Sequence, residues 1–378
     1  MDTVVIVGGG PAGLMTAMRL RELGWNATVL EEDRSVGVPE NCTGLISCSG
    51  SEELGLDLKD CLVNQVNGAE LISPNGTVLK VNKKRPVANV VDRKAFDKSL
   101  YRKALALGAR VELNTKLIDL RENTLFLKKK SRGEIKKAGL VVGADGVNSK
   151  LRTEANYEIP KEFFVHSYQV KATGNFNPGI VKMYFGSFAP GFFGWVVPEN
   201  HSVARIGVGN TLGRNPKQSF EEFVSHADLE FEASERKSFL IPVGPPLKSA
   251  VHENILLVGD AAFQTKATTG GGIILGLHSA LKCAEAISAH LKEKKPLSNY
   301  DRLLSNINHE LRMHWKIRSY LNGLSDEKLD KLFSKLKKAG VEEFLEEHGD
   351  MDRPSRFIGR ILRKPSMWRL AWLALKFR

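Results

Sequence analysis

The sequence predicts an α/β fold: a parallel sheet, joined to an antiparallel-sheet lobe and followed by a helical C-terminus. Three observations predict it. An apolar run, Thr3-Val4-Val5-Ile6-Val7, leads directly into Gly8-Gly9-Gly10-Pro11-Ala12-Gly13. Between Phe163 and Gly209 several segments alternate apolar and polar residues, the period of half-buried strands. Beyond Pro296 the apolar period becomes helical and stays so to the end.

The first run suits a buried parallel strand, and an amphipathic stretch follows the glycines through Leu23. Gly8, Gly10 and Gly13 fit G-x-G-x-x-G: one glycine for a tight turn, one for close backbone approach to a pyrophosphate, one for close helix–strand packing. A helix starting there offers free N–H groups and a positive dipole end to phosphates. Ala27-Thr28-Val29-Leu30 reads as the next strand and ends at Glu31. That places an acid about 20 residues beyond the glycines, where it meets an adenosine ribose 2′-OH. A free 2′-phosphate is repelled there, so the site is not built for NADP. NAD and FAD both use this fingerprint.

Ala69 to Asn82 reads as a hairpin, with Asn75-Gly76 as a two-residue turn. Val91-Asp92-Arg93-Lys94-Ala95-Phe96-Asp97 opens a helix after a strand, and Lys128 to Lys137 forms an exposed hairpin. Val141 to Ser149 is a strand ending in Asp145-Gly146. Within the alternating region, strands fall at Phe164–Tyr168, Val181–Tyr184, Trp195–Val197 and Val203–Val208, and Ser219 to His226 is a short helix. Ile255-Leu256-Leu257-Val258 precedes Gly259-Asp260, and Gly270-Gly271-Gly272 stand at the mouth of a helix expected from Thr269 to Ala289.

The chain has 378 residues, 42% hydrophobic, ordinary for a protein with a sizeable core. No apolar run approaches the roughly 18 residues of a membrane-spanning helix, and the N-terminus shows no secretory signal. Four cysteines, Cys42, Cys48, Cys61 and Cys283, lack paired spacing, which fits a reduced, intracellular setting. No histidine–cysteine–carboxylate cluster has metal-ligand spacing, and no nucleic-acid module is present. The net charge of +12 is either a solvated lysine-rich surface or an attraction toward an acidic partner or an anionic membrane. Residues 353 to 378 hold eight Lys or Arg and no acid, interleaved with Phe357, Ile361, Leu362, Met367, Trp368, Leu370, Trp372 and Leu375. That is an amphipathic basic helix, suited either to an anionic bilayer or to packing on the protein body.

Taken together, the first glycine turn, Val91–Asp97, Val141–Ser149 and Gly259-Asp260 resemble the glutathione-reductase-type FAD-binding Rossmann fold of flavoprotein hydroxylases over about residues 1 to 290. Within that group the chain resembles the geranylgeranyl reductase family, in particular the archaeal digeranylgeranylglycerophospholipid reductases. Four stretches carry the likeness: Pro39-Glu40-Asn41-Cys42-Thr43-Gly44, Tyr184-Phe185-Gly186, Gly191-Phe192-Phe193-Gly194-Trp195-Val196-Val197-Pro198, and Thr269-Gly270-Gly271-Gly272-Ile273. The chain departs from the family pattern where Cys42-Thr43-Gly44 lacks a following acid, where Phe193 and Val197 replace the tyrosine and phenylalanine of an aromatic motif, and where Ala267 replaces a proline.

The resemblance implies FAD as cofactor. Its contacts by motif are Gly8, Gly10, Ala12, Gly13, Glu31, Cys42, Thr43, Arg93, Asp145, Asp260, Gly270, Gly271, Gly272 and Ile273, with the Leu117 backbone passing the adenine. It implies a discontinuous FAD domain (1–60, 86–160, 240–295), a substrate lobe (61–85, 161–239) and a helical C-terminal region (296–378). Phe185, Phe193, Trp195 and Pro198 are then expected at a substrate tunnel, Trp195 alternatively as core packing between lobes. Cys42 is expected near the flavin as proton donor or positioning group, alternatively as a buried structural cysteine. The implied reaction saturates C=C bonds of geranylgeranyl chains in membrane-lipid precursors. The implied partners are the prenylated lipid, a membrane surface met peripherally at its cytoplasmic face, and an electron donor: NAD(P)H bound without a second fingerprint, or a small acidic carrier such as ferredoxin. The same fold also serves flavin monooxygenases, halogenases, electron-transfer flavoprotein–quinone oxidoreductases and non-enzymatic prenyl-lipid binding proteins. Phe263 stands where hydroxylases usually carry histidine, no cysteine lies beyond Cys283 to hold a cluster, and Glu31, Arg93 and Asp260 are all in place for a flavin.

Overall fold

The protein is described by a computed structural model covering residues 4–40 and 42–363. Its parallel sheet runs Arg110–Glu112, Ala27–Leu30, Val4–Val7, Leu140–Gly143, Ile255–Leu257, with Val251–His252 added antiparallel at the edge. In chain order the five parallel strands lie 3-2-1-4-5, so the order reverses beside Val4–Val7. Ligands in such sheets bind beyond the carboxyl ends of the strands at that switch point. Gly8, Ala144 and Gly259 all follow strands ending there.

Alternation along the buried strands builds two cores. Val4, Ile6, Val29, Val142 and Leu256 face the helices Pro11–Glu22, Arg93–Ala106 and Ile273–Glu293. Val5, Val7, Leu30, Val141 and Leu257 face the other way, against a three-stranded antiparallel sheet of Thr115–Arg121, Thr124–Lys129 and Arg132–Lys137.

A seven-stranded sheet forms the second lobe, in the order Glu232–Pro242, Phe164–Thr173, Val203–Thr211, Gly194–Pro198, Ile180–Tyr184, Gly68–Ile72, Val78–Asn82. Its pairs are antiparallel with one exception: Ile180–Tyr184 runs parallel to Gly68–Ile72. Val196, Ile206 and Val208 face a cluster closed by Phe220 and Phe223 of the Pro216–His226 helix. Trp195 and Val197, one residue out of phase, face the nucleotide-binding lobe with Phe192 and Phe193. The helices Ser305–Asn322, Asp326–Lys338, Val341–His348 and Pro354–Arg363 pack across the Leu71–Leu79 end of this sheet.

Two local expectations change. The hairpin turn is a five-residue loop, Ser73–Thr77, because Ile72 pairs with Val78; Gly76 occupies its left-handed position at φ +82°. The long helix starts at Ile273, not Thr269, because Gly270 adopts φ +72° and turns its N–H back onto the Lys266 carbonyl at 2.8 Å. In the basic C-terminal stretch, Ile361 is 2% exposed and Phe357 packs on Phe344, so this part of the apolar stripe lies on the protein body. Met367, Trp368, Leu370, Trp372 and Leu375 fall outside the described residues. Among the described residues no helix is long and apolar enough to cross a membrane.

Candidate functional site

The site begins where backbone is left bare. Gly8 has φ +105°, and a Cβ there would sit 2.2 Å from the Ala144 carbonyl oxygen. A Cβ on Gly13 would meet the Gly8 carbonyl oxygen at 2.0 Å, so only glycine lets helix and turn close together. Gly10 differs: a Cβ there meets nothing within 4 Å, and its backbone faces open space. Gly10 is also the N-cap of Pro11–Glu22, with no side chain capping it and proline at the start, so free N–H groups remain.

Glu31 ends the second strand and accepts hydrogen bonds from the Gly9 N–H at 2.6 Å and the Asp33 N–H at 2.8 Å. Burial raises its carboxyl above the ordinary value, against the pull of these two amides. The Thr115 N–H donates to the Glu31 carbonyl at 2.8 Å. Leu117 lies two residues further along that strand, so its backbone groups point to the same edge. That edge is unpaired in the three-stranded sheet, while the Leu117 side chain is buried beneath it.

Arg93 enters the site from the start of a helix capped by Asp92, whose carboxylate accepts from the Ala95 N–H. Asp97, one turn on, holds the guanidinium at 3.0 Å. Burial works against the Arg93 charge, but Cys42 and Asp97 beside it keep it firmly protonated. Asp145 serves the scaffold. It accepts from the Ser149 hydroxyl at 2.6 Å and the Leu151 N–H at 3.1 Å, anchoring the next helix.

A second bare helix start stands beside the first. Ile273–Glu293 has Gly272 as N-cap, without a side-chain cap. Asp260 accepts from Thr265 Oγ1 at 3.1 Å, and a Cβ on Gly272 would lie 2.7 Å from its Oδ1. Burial raises the Asp260 carboxyl, while Thr265, Arg93 and Arg152 oppose that rise. The two uncapped helix starts face one cavity of about 900 Å³, which also takes in Ala12, Cys42, Thr43, Arg93, Asp260, Gly270, Gly271 and Ile273. From there it runs between the lobes along Phe192, Phe193 and Trp195 to Val181, Leu71 and Phe357.

Arg205 fixes the Cys42 loop. Its Nη1 donates to Glu40 at 2.7 Å and to the Cys42 carbonyl at 3.0 Å, and its Nε donates to Glu199 at 2.6 Å. The Gly44 N–H points at Cys42 Sγ, 3.3 Å away. Phe193 stacks on Phe192 at 4.2 Å and meets Trp195 edge-on at 6.0 Å. Phe185 stands behind this wall, between Phe193 and Phe333. Pro198 lies further off; its carbonyl accepts from Asn64. Neither Phe185 nor Pro198 lines the cavity.

Two groups in the wall, Lys266 and His314, and one behind it, Gln169, escape a sequence reading. Gln169, 4% exposed, accepts from both Thr43 Oγ1 at 2.8 Å and Trp195 Nε1 at 3.1 Å. Lys266 lies beneath Gly271 and pairs with Asp352 at 2.6 Å. His314 meets Thr268 Oγ1 at 2.6 Å; burial and then the Lys266 charge push its pKa down to about 3, so it is neutral. Their partners are 26 to 126 residues away in sequence or in other elements, and no local pattern announces them.

The FAD binding domain family matches residues 1–307. The digeranylgeranylglycerophospholipid reductase 2 of Methanothermobacter thermautotrophicus is 30% identical over 359 residues, which cover 88% of this chain and 91% of that protein. The chain belongs to the FAD-binding digeranylgeranylglycerophospholipid reductase family. A second member, the digeranylgeranylglycerophospholipid reductase of Methanocaldococcus jannaschii, is 29% identical and covers 96% of each chain. A geranylgeranyl bacteriochlorophyll reductase-like protein from Thermoplasma acidophilum shares the fold, with TM-score 0.83, 22% identity and coverage of 99% of this chain and 100% of that one. The flavin-dependent halogenase CmlS shares it more distantly, with TM-score 0.69, 18% identity and coverage of 91% and 72%.

As a family member this chain is an FAD-dependent oxidoreductase. The residues present fit FAD. Gly10 offers open backbone and an uncapped helix start for the pyrophosphate. By motif, Glu31 would meet the adenosine ribose and Asp260 the ribityl hydroxyls, and the uncapped start of Ile273–Glu293 would meet the pyrimidine end of the ring.

Proposed function

We propose that this protein saturates carbon–carbon double bonds of geranylgeranyl chains in membrane-lipid precursors. The cavity carries the reading: it joins the FAD residues to an apolar gallery between the lobes, walled by Phe192, Phe193, Trp195, Val181, Met183 and Leu71. An isolated trisubstituted alkene has no conjugated group to accept hydride, so a proton must reach one carbon as hydride reaches the other. Bound FAD in its reduced form supplies the hydride. The protein's own part is to exclude water, hold the alkene flat and deliver the proton.

Phe193 and Trp195 present aromatic faces that steady positive charge building on the alkene carbon. Gln169 holds the Trp195 ring and the Thr43 hydroxyl in one arrangement. Cys42, at the cavity wall beside Arg93, is the proposed proton source. Arg205 sets where its loop stands. We assign electron supply to a small acidic carrier drawn by the +12 net charge, and the working location to the cytoplasmic face of an anionic membrane.

The test is mass spectrometry of geranylgeranyl lipids incubated with the dithionite-reduced protein. The expected result is a gain of two mass units per saturated bond. Unchanged lipid, with the FAD fully reduced, overturns the proposal. Turnover with NADPH alone at the dithionite rate overturns the carrier assignment separately.

A further inference from the structure

Arg318 is buried without a counter-charge. It is 4% exposed, and its Nη1 makes only a long contact to the Ala267 carbonyl, 3.4 Å away. Its Nε and Nη2 have no hydrogen-bond partner, and it forms no ion pair among the described residues. One face lies over the Phe192 ring at 5.2 Å. Burial pushes its pKa down to about 10, which leaves it charged at neutral pH. A buried charge without a partner is costly.

Its neighbours do not cancel the charge. Lys266 is neutralised by Asp352 at 2.6 Å, and His314 is neutral. His314 and Arg318 lie four residues apart on the Ser305–Asn322 helix and share a face. They hold consecutive residues of the segment leading into the glycines, Thr268 and Ala267. Phe192, beneath the guanidinium, lines the cavity and reaches within 3.3 Å of where a Gly270 Cβ would stand. The net positive charge therefore sits one side-chain layer behind the cavity end that receives the flavin ring.

We propose that Arg318 is the fixed counter-charge for the negative charge that FAD acquires on two-electron reduction, and that it raises the tendency of the bound cofactor to take up electrons. The inference rests on the FAD assignment alone and is independent of the lipid substrate. Arg318 acts across Phe192 and the Ala267–Thr268 backbone, as an electrostatic positioning residue and not as a catalytic one.

The experiment equilibrates FAD-loaded full-length protein with reference dyes and reads the ratio of reduced to oxidised FAD at a fixed potential. Arg318→Met is expected to lower that ratio on the order of tenfold, the scale of one charge–charge interaction at effective dielectric near 20. It is expected to melt no lower than the parent, because an unpaired buried charge has been replaced by an apolar chain. Arg318→Lys keeps the charge and is expected to stay within about threefold. Arg318→Gln supplies a second neutral variant should the methionine exchange lose FAD. An unchanged ratio in both neutral variants overturns the proposal, as does an equal shift in Arg318→Lys. An unchanged ratio with weakened binding of a phosphate-bearing prenyl lipid also overturns it, and assigns the charge to the substrate head group.

Discussion

One oxygen atom, Oε1 of Gln169, receives both the Thr43 hydroxyl and the Trp195 indole N–H. Gln169→Leu keeps the volume and removes the acceptor, leaving the buried Trp195 indole N–H unpaired at about 1–3 kcal/mol and the half-buried Thr43 hydroxyl free to turn toward the cavity. The variant is expected to lose about 1–3 kcal/mol of stability in denaturant titration, and, if Trp195 walls the proposed alkene site, to lose kcat more than FAD affinity. Gly13→Ala acts differently. Its methyl group meets backbone, not a yielding side chain, so an overpacking cost of about 1–3 kcal/mol is expected together with weakened FAD retention on a desalting column. The contrast explains what was legible residue by residue. Gly8, Gly13 and Gly270 reveal themselves because only glycine tolerates their geometry, and their spacing is local. Gln169, Lys266, His314 and Arg318 are ordinary residues in ordinary strands, loops and helices, and become informative only when the chain brings distant partners to them. Asp145 is a case where the motif shows less than the structure adds: its position points to cofactor, and its oxygens also accept from Ser149 and Leu151, which anchors the next helix.

At the scale of elements, Glu112 ties the parallel sheet to the three-stranded sheet. Burial alone would raise its carboxyl. Lys129 and Lys136, both at 2.8 Å from neighbouring strands, overcome that and hold it at about 2. The folded value lies below the ordinary 4.5, so the stabilisation is complete above pH 4.5 and is lost as pH falls toward 2. Stability measured by denaturant between pH 6 and 2 is expected to fall, and Glu112→Gln to flatten that slope while lowering stability at pH 6. The core strands and long helices were readable because their periods are strong: Val4–Val7, Ala27–Leu30 and Leu140–Gly143 are buried on both faces and read as continuous apolar runs. The start of Ile273–Glu293 was not, since Thr269 begins the apolar pattern but Gly270 turns the chain first. Nor was the parallel pairing of Ile180–Tyr184 with Gly68–Ile72, because alternation reports which face is buried and says nothing of strand direction.

Across the whole molecule, the C-terminal region does more than follow the two lobes. Leu345, Gly349, Met351, Pro354 and Phe357 close the cavity that the lobes leave between them. The closure is fastened by Asp352, whose carboxylate takes the Lys266 ammonium at 2.6 Å and the Ser47 hydroxyl, joining the C-terminal segment to the flavin loop and to the strand Leu45–Ser47. Burial would raise Asp352, but Lys266 overcomes this and holds it below the usual carboxylate range. Asp352→Asn strands a buried ammonium and is expected to cost about 3–5 kcal/mol. If its main effect were general destabilisation, every region would loosen alike. If Asp352 fastens a closure, proteolysis between Gly349 and Arg353 should accelerate before cleavage elsewhere, and the reduced enzyme should lose electrons to oxygen without forming saturated lipid. Replacing the pair together, Lys266→Met with Asp352→Leu, removes both charges and should recover much of the stability. Recovery of stability without recovery of coupling between FAD oxidation and lipid reduction would show that the ion pair serves the geometry of the closed cavity, since the apolar pair fills the space but cannot anchor Ser47.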